Sequence, residues 1–491
     1  MLAVGAAAVI ALVLADADGE DQGGPEEQAE AGAGTAPGET AETGGTGEEG
    51  GELAAWTAPT NDSTARGDVI RTLAAGPDLI VVTQHEITSI DRATGEKNWI
   101  TDMSAAGEPA GQAYVLCGAS TTASDDMKLA VTMGFDEAPS GEGDSTIYSP
   151  VCGLVVIVDL ATGEFGASMQ VAFEGGGTPN PGLDKGMPVE IVGDTVITGW
   201  YATIFGLDIA DLSIEWQHML GSERGWEDFD CSVDDLARGD GENVVVMNTC
   251  ISDVGETPSY FDELSTTGQI GRSHEVTPAE TQVAEISSLQ LVSATPIVVH
   301  VVPNQGSADG DALVTLDDSW NVLSVIQDER MAAESPTGLV VTDIGYLDGL
   351  IGAWRQPNRS LVAGTTLVSF TPPNTETPNA LVAVDLATGQ DLWSVPAPDG
   401  YKFWQVISVA DGAVVAVLSQ DAGPGQAVVT VDLASGEEQD RRDTEVFSPG
   451  DDEFGPSLMA SHAFVHADDR AYAVEYGEAG DEDDWMAFSI G

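Results

Sequence analysis

Basic residues are scarce in this sequence. It holds 16 Lys and Arg residues against 82 Asp and Glu residues, so its formal net charge is −66 over 491 residues. Binding to nucleic-acid phosphates depends on clusters of Lys and Arg, and the composition therefore argues against a nucleic-acid-binding protein. Attraction to an anionic membrane surface is disfavoured for the same reason. The acids indicate either a solvated surface that keeps the protein soluble, or a surface that attracts cationic or divalent-metal partners.

Long apolar runs and helical periodicity are also nearly absent. The one clear run, Leu2 to Ala15, is shorter than the roughly 20 residues that span a bilayer. It resembles a signal-peptide core followed by a small-x-small cleavage site at Ala15-Asp16-Ala17, although no Lys or Arg precedes it. A translation start further upstream would make it an anchor helix. We therefore expect residues 1–15 to be a signal or membrane-anchor segment, and the protein to be extracytoplasmic, membrane-anchored or secreted.

Residues 16–50 contain Gly, Glu, Ala and Thr but no aromatic residue. Such a segment cannot bury enough surface to offset its ordering entropy, and we predict a disordered acidic linker or tail. The rest of the chain, 51–491, is predicted to be one all-β domain, because many short Val and Ile runs are bounded by Gly, Asp and Pro.

Only four cysteines are present, and they form two close pairs, Cys117 with Cys152 and Cys231 with Cys250. Each pair falls on predicted strands of one repeat. In an exported chain an even count indicates two disulfides. Free buried thiols or a metal site are the alternatives, although the spacing matches no zinc pattern.

A repeated hairpin organises residues 51–491. Its clearest copy is Ala383-Val384-Asp385-Leu386-Ala387-Thr388-Gly389, closed by Trp393. Two apolar strands joined by a tight Thr-Gly turn are typical of an antiparallel hairpin, because Gly takes the positive φ without steric cost. The Asp recurs at the following positions, the weakest copy lying near Leu264: Asp91, Asp159, Asp208, Asp317, Asp385 and Asp432. The spacing suits one four-stranded blade per copy, and so predicts a β-propeller.

The two chain ends supply a further half-copy each. The last strand, Trp485 to Ile490, stops where the turn should follow, and Gly51 to Trp56 could complete its frame. We therefore predict an eight-bladed propeller of four-stranded antiparallel blades, closed by an N-terminal strand in the last blade. Seven blades is the alternative if the copy near Leu264 is not real.

The frame Ala-x-Asp-x-x-Thr-Gly-x-x-x-Trp resembles the repeat of the pyrroloquinoline-quinone-like propeller superfamily. That family includes quinoprotein alcohol dehydrogenases and the non-catalytic propeller lipoprotein of the bacterial barrel-assembly machinery. The resemblance implies that each repeat's Trp docks between neighbouring blades, a role that falls here on Trp56, Trp99, Trp216 and Trp393. Ala167, Val325 and Asp440 stand where three other blades should carry the aromatic residue.

No catalytic set is visible. Gly-x-Ser-x-Gly is absent, and the adjacent cysteines that the resemblance implies for the quinoprotein enzymes are missing. His462 and His466 fall on one predicted strand, about 13 Å apart at strand rise, so they cannot share a metal. The acidic stretches Asp309 to Asp311 and Asp481 to Asp484 have no calcium-loop spacing. We expect no catalytic residue, no cofactor and no metal.

The sequence favours a monomeric, non-catalytic, extracytoplasmic scaffold that binds other cell-envelope or extracellular proteins, or a ligand. The polar insertions 137–149 and 304–311 are candidate binding loops. A pyrroloquinoline-quinone-dependent oxidoreductase is the alternative, and a sensor that binds a ligand in the central channel is a third hypothesis.

Overall fold

The computed structural model describes the following residues: 57–59, 69–103, 114–135, 151–171, 187–200, 202–220, 229–252, 258–284, 286–303, 311–327, 360–371, 379–420, 426–444, 461–467, 470–476 and 485–490. Contacts divide the chain into two units, Met1–Glu52 and Leu53–Gly491. The first unit lies outside the described residues, as do the predicted signal or anchor segment and the acidic linker.

Among the described residues, seven blades, and not the predicted eight, are each built from four strands that are consecutive in the chain and antiparallel. Blade 1 comprises β2 (Val69–Ala75), β3 (Asp78–Thr83), β4 (Glu86–Asp91) and β5 (Lys97–Asp102). Blade 2 comprises β6 (Tyr114–Ala119), β7 (Lys128–Phe135), β8 (Val151–Asp159) and β9 (Phe165–Gln170). Blade 3 comprises β10 (Val189–Val192), β11 (Thr195–Trp200), β12 (Thr203–Asp208) and β13 (Ile214–Met219). Blade 4 comprises β14 (Phe229–Arg238), β15 (Asn243–Ser252), β16 (Ser259–Ser265) and β17 (Ile270–Val276).

The helix α1 (Pro278–Thr281) follows blade 4 and is capped by Thr277. Blade 5 comprises β18 (Ile286–Ala294), β19 (Ile297–Pro303), β20 (Ala312–Leu316) and β21 (Val322–Ile326). Blade 6 comprises β22 (Leu361–Ala363), β23 (Thr366–Phe370), β24 (Ala380–Asp385) and β25 (Gln390–Pro396). Blade 7 comprises β26 (Tyr401–Ala410), β27 (Ala413–Gln420), β28 (Gln426–Asp432) and β29 (Glu438–Thr444).

One more four-stranded sheet, here called the composite sheet, joins the two ends of the described chain. Its order is β1 (Thr57–Pro59), β32 (Trp485–Ile490), β31 (Arg470–Tyr476) and β30 (Ser461–Ala467). Thr57 lies opposite Phe488, and Pro59 lies opposite Met486. The paired N-terminal strand thus begins just after the predicted segment 51–56. That segment, including Trp56, lies outside the described residues.

The first strand of each sheet contacts the first strand of the next, in the cycle β2, β6, β10, β14, β18, β22, β26, β30 and back to β2. The described part of the chain therefore forms a ring of sheets around an axis. The predicted all-β propeller with four-stranded antiparallel blades is confirmed. The weak repeat near Leu264 belongs to a complete sheet, blade 4.

Each sheet has two apolar faces, and the neighbouring sheets of the ring cover both of them. Apolar side chains are therefore buried between neighbouring sheets. Leu79 and Val81 of blade 1 cluster with Tyr472 and Val474 of the composite sheet. On its other side the composite sheet packs Ala473 against Val417 of blade 7. The second strands are buried throughout, as in β3, whereas the fourth strands alternate in exposure, as in β9. The fourth strands therefore form the outer rim.

Candidate functional site: two unequal faces

The strand order gives the ring two different faces. In each blade the connections between strands one and two, and between strands three and four, leave from the same side, which we call the turn face. The connections between strands two and three, and from one blade to the next, leave from the opposite side, the loop face. The predicted binding segment 137–149 joins β7 to β8, whose facing ends lie on the loop face. That segment itself lies outside the described residues, as does 304–310.

Both disulfides cross-link strands near the loop face. Cys231 lies opposite Cys250 in the β14–β15 pairing and is bonded to it. Cys117 of the first strand of blade 2 is bonded to Cys152 of the third strand, so this bond spans β7. The two predicted pairings are confirmed. They close loops of 19 and 35 residues, and bridges of that size typically contribute about 3 kcal/mol each.

The turn face is built from the repeated Asp turn. In blade 7 the Asp432 carboxylate accepts hydrogen bonds from the backbone N–H groups of Ala434 and Ser435 and from the Ser435 hydroxyl. Gly436 N–H donates to the Asp432 carbonyl, and its φ is +71°. These bonds from Ser435, made by its side chain first and its backbone second, hold the pKa of Asp432 below its ordinary value. The Asp of the repeat therefore closes the turn as a carboxylate.

Three tryptophans of the repeat contact the turn of the following blade. Trp99 Nε1 donates to the Leu160 carbonyl at 3.1 Å, Trp216 Nε1 to Thr266 at 2.7 Å and Trp393 Nε1 to Leu433 at 2.7 Å. Each ring lies over the glycine of that turn. A Cβ placed on Gly163 would be 2.5 Å from the Trp99 ring, so only glycine fits there. These contacts lie between blades, so the three rings form part of the packing between neighbouring blades.

Two of the other blades fill this junction between blades with different residues. Blade 2 carries Ala167 instead of Trp, and the next turn carries Leu212 at the positive-φ position, with φ +56° and 1% exposure. Ala167 packs in the same apolar cluster as Leu212. Blade 4 carries Arg272, whose guanidinium lies 5.0 Å from the ring centroid of Trp320 in the next turn. At the junction after blade 2, a large turn residue thus accompanies a small residue on the fourth strand.

The frame position in blade 5 differs from the sequence-based alignment. We expected Val325 to stand where the aromatic residue should be, but Ser324 lies opposite Thr315, as Trp99 lies opposite Ser89. The Ser324 hydroxyl donates to the Leu386 carbonyl. The cause is the turn after Asp317, which is one residue shorter than the turn after Asp91. Asp440 in blade 7 is at the expected position, opposite Thr430.

Two polar residues of the inner strands escaped the sequence analysis. Glu190 of β10 is 2% exposed, and its Oε2 accepts hydrogen bonds from Thr121 N at 3.2 Å and Thr121 Oγ1 at 2.8 Å. Arg71 of β2 is close enough for Glu190 to attract it, yet burial lowers the pKa of Arg71 further than Glu190 raises it. The repeated hairpin includes neither residue, because each lies on the first strand of its blade.

Two further predicted groups can be placed. His462 and His466 both lie on β30, as expected. Asp311 Oδ2 lies 3.0 Å from His300 Nε2, within hydrogen-bonding distance. This contact holds the end of the segment 304–311 against blade 5. The acidic stretch 481–484 lies outside the described residues.

Within the described ranges, no group of three or more His, Cys, Asp or Glu side chains is arranged to hold a metal ion. Among the same residues, no helix has both the length and the apolar character needed to cross a bilayer.

No protein-family model and no curated protein matches the chain. Solved propellers match it at low similarity. The chain resembles the Dos1 propeller at 9% identity, over 87% of this chain and 93% of that one, with a TM-score of 0.43. It resembles the WD40 domain of SCAP from fission yeast at 12% identity, over 76% and 83%, with a TM-score of 0.34. A prolyl endopeptidase matches at 12% identity, over 84% of this chain and 55% of that one, with a TM-score of 0.43. The propeller assignment rests on the strand pairing, and these neighbours include both enzymes and non-enzymes.

Proposed function

We propose that this protein is a non-catalytic, extracytoplasmic β-propeller that binds other cell-envelope or extracellular proteins through its loop face. The observation that carries this proposal is the position of the two disulfides, which both brace strands near that face. Disulfides persist in oxidising compartments, and this supports an extracytoplasmic location. Rigid sheets that carry variable connections on one side are a general arrangement for binding.

The charge of the chain favours a cationic partner. With 82 acidic against 16 basic residues, a surface with complementary Lys and Arg residues would be steered towards it. Such steering weakens as salt shortens the Debye length. We infer that the partner presents a basic patch and that association falls with ionic strength.

We further propose that the composite sheet acts as the eighth blade, which the N-terminal strand β1 completes, and that the repeat belongs to the pyrroloquinoline-quinone-like type. The pairing of Thr57 with Phe488 and the contacts of β30 with β26 and β2 support the first point. The Trp contacts on the Thr-Gly and Ser-Gly turns of blades 2 and 7 support the second.

Site-specific photocrosslinking tests the proposed face. A photoreactive residue at Met219, which is 55% exposed at the loop-face end of β13, should give adducts with a partner in intact producing cells. The matched control is the exposed Ala161 in a turn of the opposite face. Adducts should form at Met219 only, should involve peptides with Lys or Arg, and should decrease at high salt. Adducts from Ala161 alone, or from neither position, would overturn the proposed face.

The quinone-dependent enzyme is tested separately. The purified full chain is incubated with pyrroloquinoline quinone, Ca²⁺, an alcohol and a redox dye. A non-catalytic scaffold leaves the dye oxidised. Saturable quinone binding with dye reduction would overturn the non-catalytic assignment without bearing on the loop-face contact.

A further inference from the structure

We propose that the outer edge of blade 3 takes up an extended segment of the partner protein, in which apolar residues alternate with Lys or Arg. This inference rests on the function proposed above and names the part of the partner that is recognised. The edge is formed by β13, the outermost strand of its sheet, which among the described strands pairs only with β12. An extended peptide can continue such a sheet through main-chain hydrogen bonds.

Two large apolar side chains lie on one face of this strand. Ile214 is 46% exposed and Met219 is 55% exposed. Ile214 lies opposite Leu207 and Met219 lies opposite Thr203, and residues opposite one another in an antiparallel pair share a face. Leu207 belongs to the apolar cluster between blades 2 and 3, and Thr203, four residues before it on β12, points the same way. Ile214 and Met219 therefore both face blade 2.

The exposure of Ile214 follows from the Ala that replaces Trp in blade 2. Its counterpart in blade 2 is Phe165, which lies opposite Val158 as Ile214 lies opposite Leu207. Phe165 packs in one cluster with Trp99 of the preceding blade. Ile214 has Ala167 of the preceding blade instead. The junction between blades 2 and 3 therefore leaves apolar surface at the rim that a Trp ring covers at the junction between blades 1 and 2.

Other outer strands carry the charges or Pro that usually guard a sheet edge. Strand β29 has Arg441 and Arg442 in ion pairs. Strand β25 ends in Pro396, and β17 carries Arg272. Strand β13 has no Pro, Lys or Arg, and Glu215 is its one carboxylate. Strands β9 and β21 also lack charged residues, but neither has two exposed large apolar side chains among those that the structure describes.

The charges around β13 select a basic occupant. Glu164 in blade 2, and Asp211 and Glu215 in blade 3, are exposed at the turn-face end of this junction. No Lys or Arg occurs in residues 159–171 or 202–220. A second copy of the chain would bring the same net charge of −66 and be repelled. Successive side chains of a strand point to opposite faces, so a segment with apolar residues at alternate positions presents them all to the face of Ile214 and Met219.

Titration of the purified full chain with a peptide tests this edge. The probe is a fluorescent peptide of about seven residues, the length of a typical strand, in which Lys and Val alternate. Fluorescence anisotropy should show saturable binding of one peptide per chain. The same peptide with every backbone nitrogen methylated keeps its charges but donates no main-chain hydrogen bond. We expect it to bind at least about tenfold more weakly.

One substitution and its matched control locate the site. Ile214→Lys should weaken binding of the Lys-Val peptide roughly fivefold to tenfold, because it removes an apolar contact and repels the peptide. Ile100→Lys is the control, because Ile100 is also 46% exposed on the fourth strand of its blade and the substitution changes the net charge equally. Its affinity should equal that of the wild type.

This inference is overturned by equal affinities of the Ile214→Lys and Ile100→Lys variants, by equal binding of the methylated peptide, or by the absence of saturable binding. Those results leave the crosslinks expected at Met219 unaffected, since the crosslinks test the loop face by themselves. Peptide binding with the expected differences, but without crosslinks at Met219 in cells, would support the β13 edge and overturn the proposed loop-face contact.

Discussion

At the scale of single residues, the turn glycines are constrained twice, by backbone conformation and by the ring that lies over them. Gly163 has φ +76° and lies beneath Trp99, whereas Gly412 has φ +79° and nothing within 4 Å of the place of its Cβ. Comparing the two positions separates the backbone cost from the packing cost.

We predict that Gly163→Ala destabilises the protein by about 1–3 kcal/mol more than Gly412→Ala, the usual cost of overpacking. Both variants carry the similar cost of a side chain at positive φ. The measurement is the free energy of unfolding in urea. Equal losses for the two variants would show that the Trp99 ring moves away freely and that the contact is unimportant.

The repeat aspartates make the turn stability depend on pH. The folded pKa of Asp432 is depressed, so its carboxylate stabilises the fold above the unfolded pKa of about 3.9, and this contribution is lost as the pH falls through the folded pKa. Asp91 behaves alike, through hydrogen bonds from the Thr94 backbone first and its side chain second.

We therefore expect Asp432→Asn to be less stable than the wild type at neutral pH, with a gap that closes below about pH 4. Unfolding curves of both proteins between pH 2 and pH 7 measure this gap. Asp126→Asn, at an exposed position in the β6–β7 connection, is the control and should show no such trend. A gap of constant size at all pH values would contradict the role of the ionised carboxylate.

At the scale of elements, blades 1, 2, 3 and 6 are each joined to the next blade by a residue pair of complementary size. The pair Ala167 with Leu212 at one junction replaces the pair Trp with Gly found at three others. Since each junction is a local solution to the same packing problem, one pair should be exchangeable for the other.

Ala167→Trp alone should destabilise the fold by about 2 kcal/mol or more, because Leu212 occupies the space that the ring needs. Leu212→Gly alone should cost about 3 kcal/mol through the cavity that it leaves. The double variant should return to within about 1 kcal/mol of the wild type, a coupling that a double-mutant cycle measures. Strict additivity of the two losses would show that the positions do not face one another.

Closure by the N-terminal strand is tested by truncation. Removal of residues 1–60 deletes β1 and uncovers the edge of β32, whereas removal of residues 1–52 leaves β1 in place. We expect the longer truncation to lose about 2 kcal/mol of unfolding free energy and to associate at high concentration, since open strand edges pair with other chains. The shorter truncation should match the full chain. Equal stability and solubility of the two would remove β1 from the closing role.

At the scale of the whole molecule, self-repulsion is the dominant electrostatic feature. A net charge of −66 opposes compaction, and salt screens it, since the Debye length falls from roughly 10 Å at 0.1 M to about 3 Å at 1 M. The fold should therefore gain stability from added electrolyte.

We predict that raising NaCl from 0.1 M to 1 M increases the Tm by about 2 °C, the effect of roughly 2 kcal/mol on a chain of this size. Differential scanning calorimetry measures the shift. A sucrose series of equal osmolality separates charge screening from surface exclusion. A Tm that falls or stays constant with NaCl, or that rises equally with sucrose, would contradict this account.

The sequence by itself determined the repeat architecture and the covalent cross-links. A Thr-Gly turn after an Asp specifies one backbone conformation, so Asp385 to Gly389 could be interpreted without coordinates. The cysteine pairs each lay within one repeat, and that local separation made their partners evident. The all-β class followed from the same local patterns, because hairpin geometry depends on neighbouring residues.

Only the tertiary structure decided what depends on residues far apart in the chain. The shift from Val325 to Ser324 arises from a turn shortened by one residue, which changes register across a pair of strands. The match of Ala167 with Leu212, and the hydrogen bonds of Glu190 in blade 3 with Thr121 in blade 2, involve different repeats. No periodic pattern encodes such contacts between repeats. They are set by how the ring closes and by which side chains then pack together in its interior.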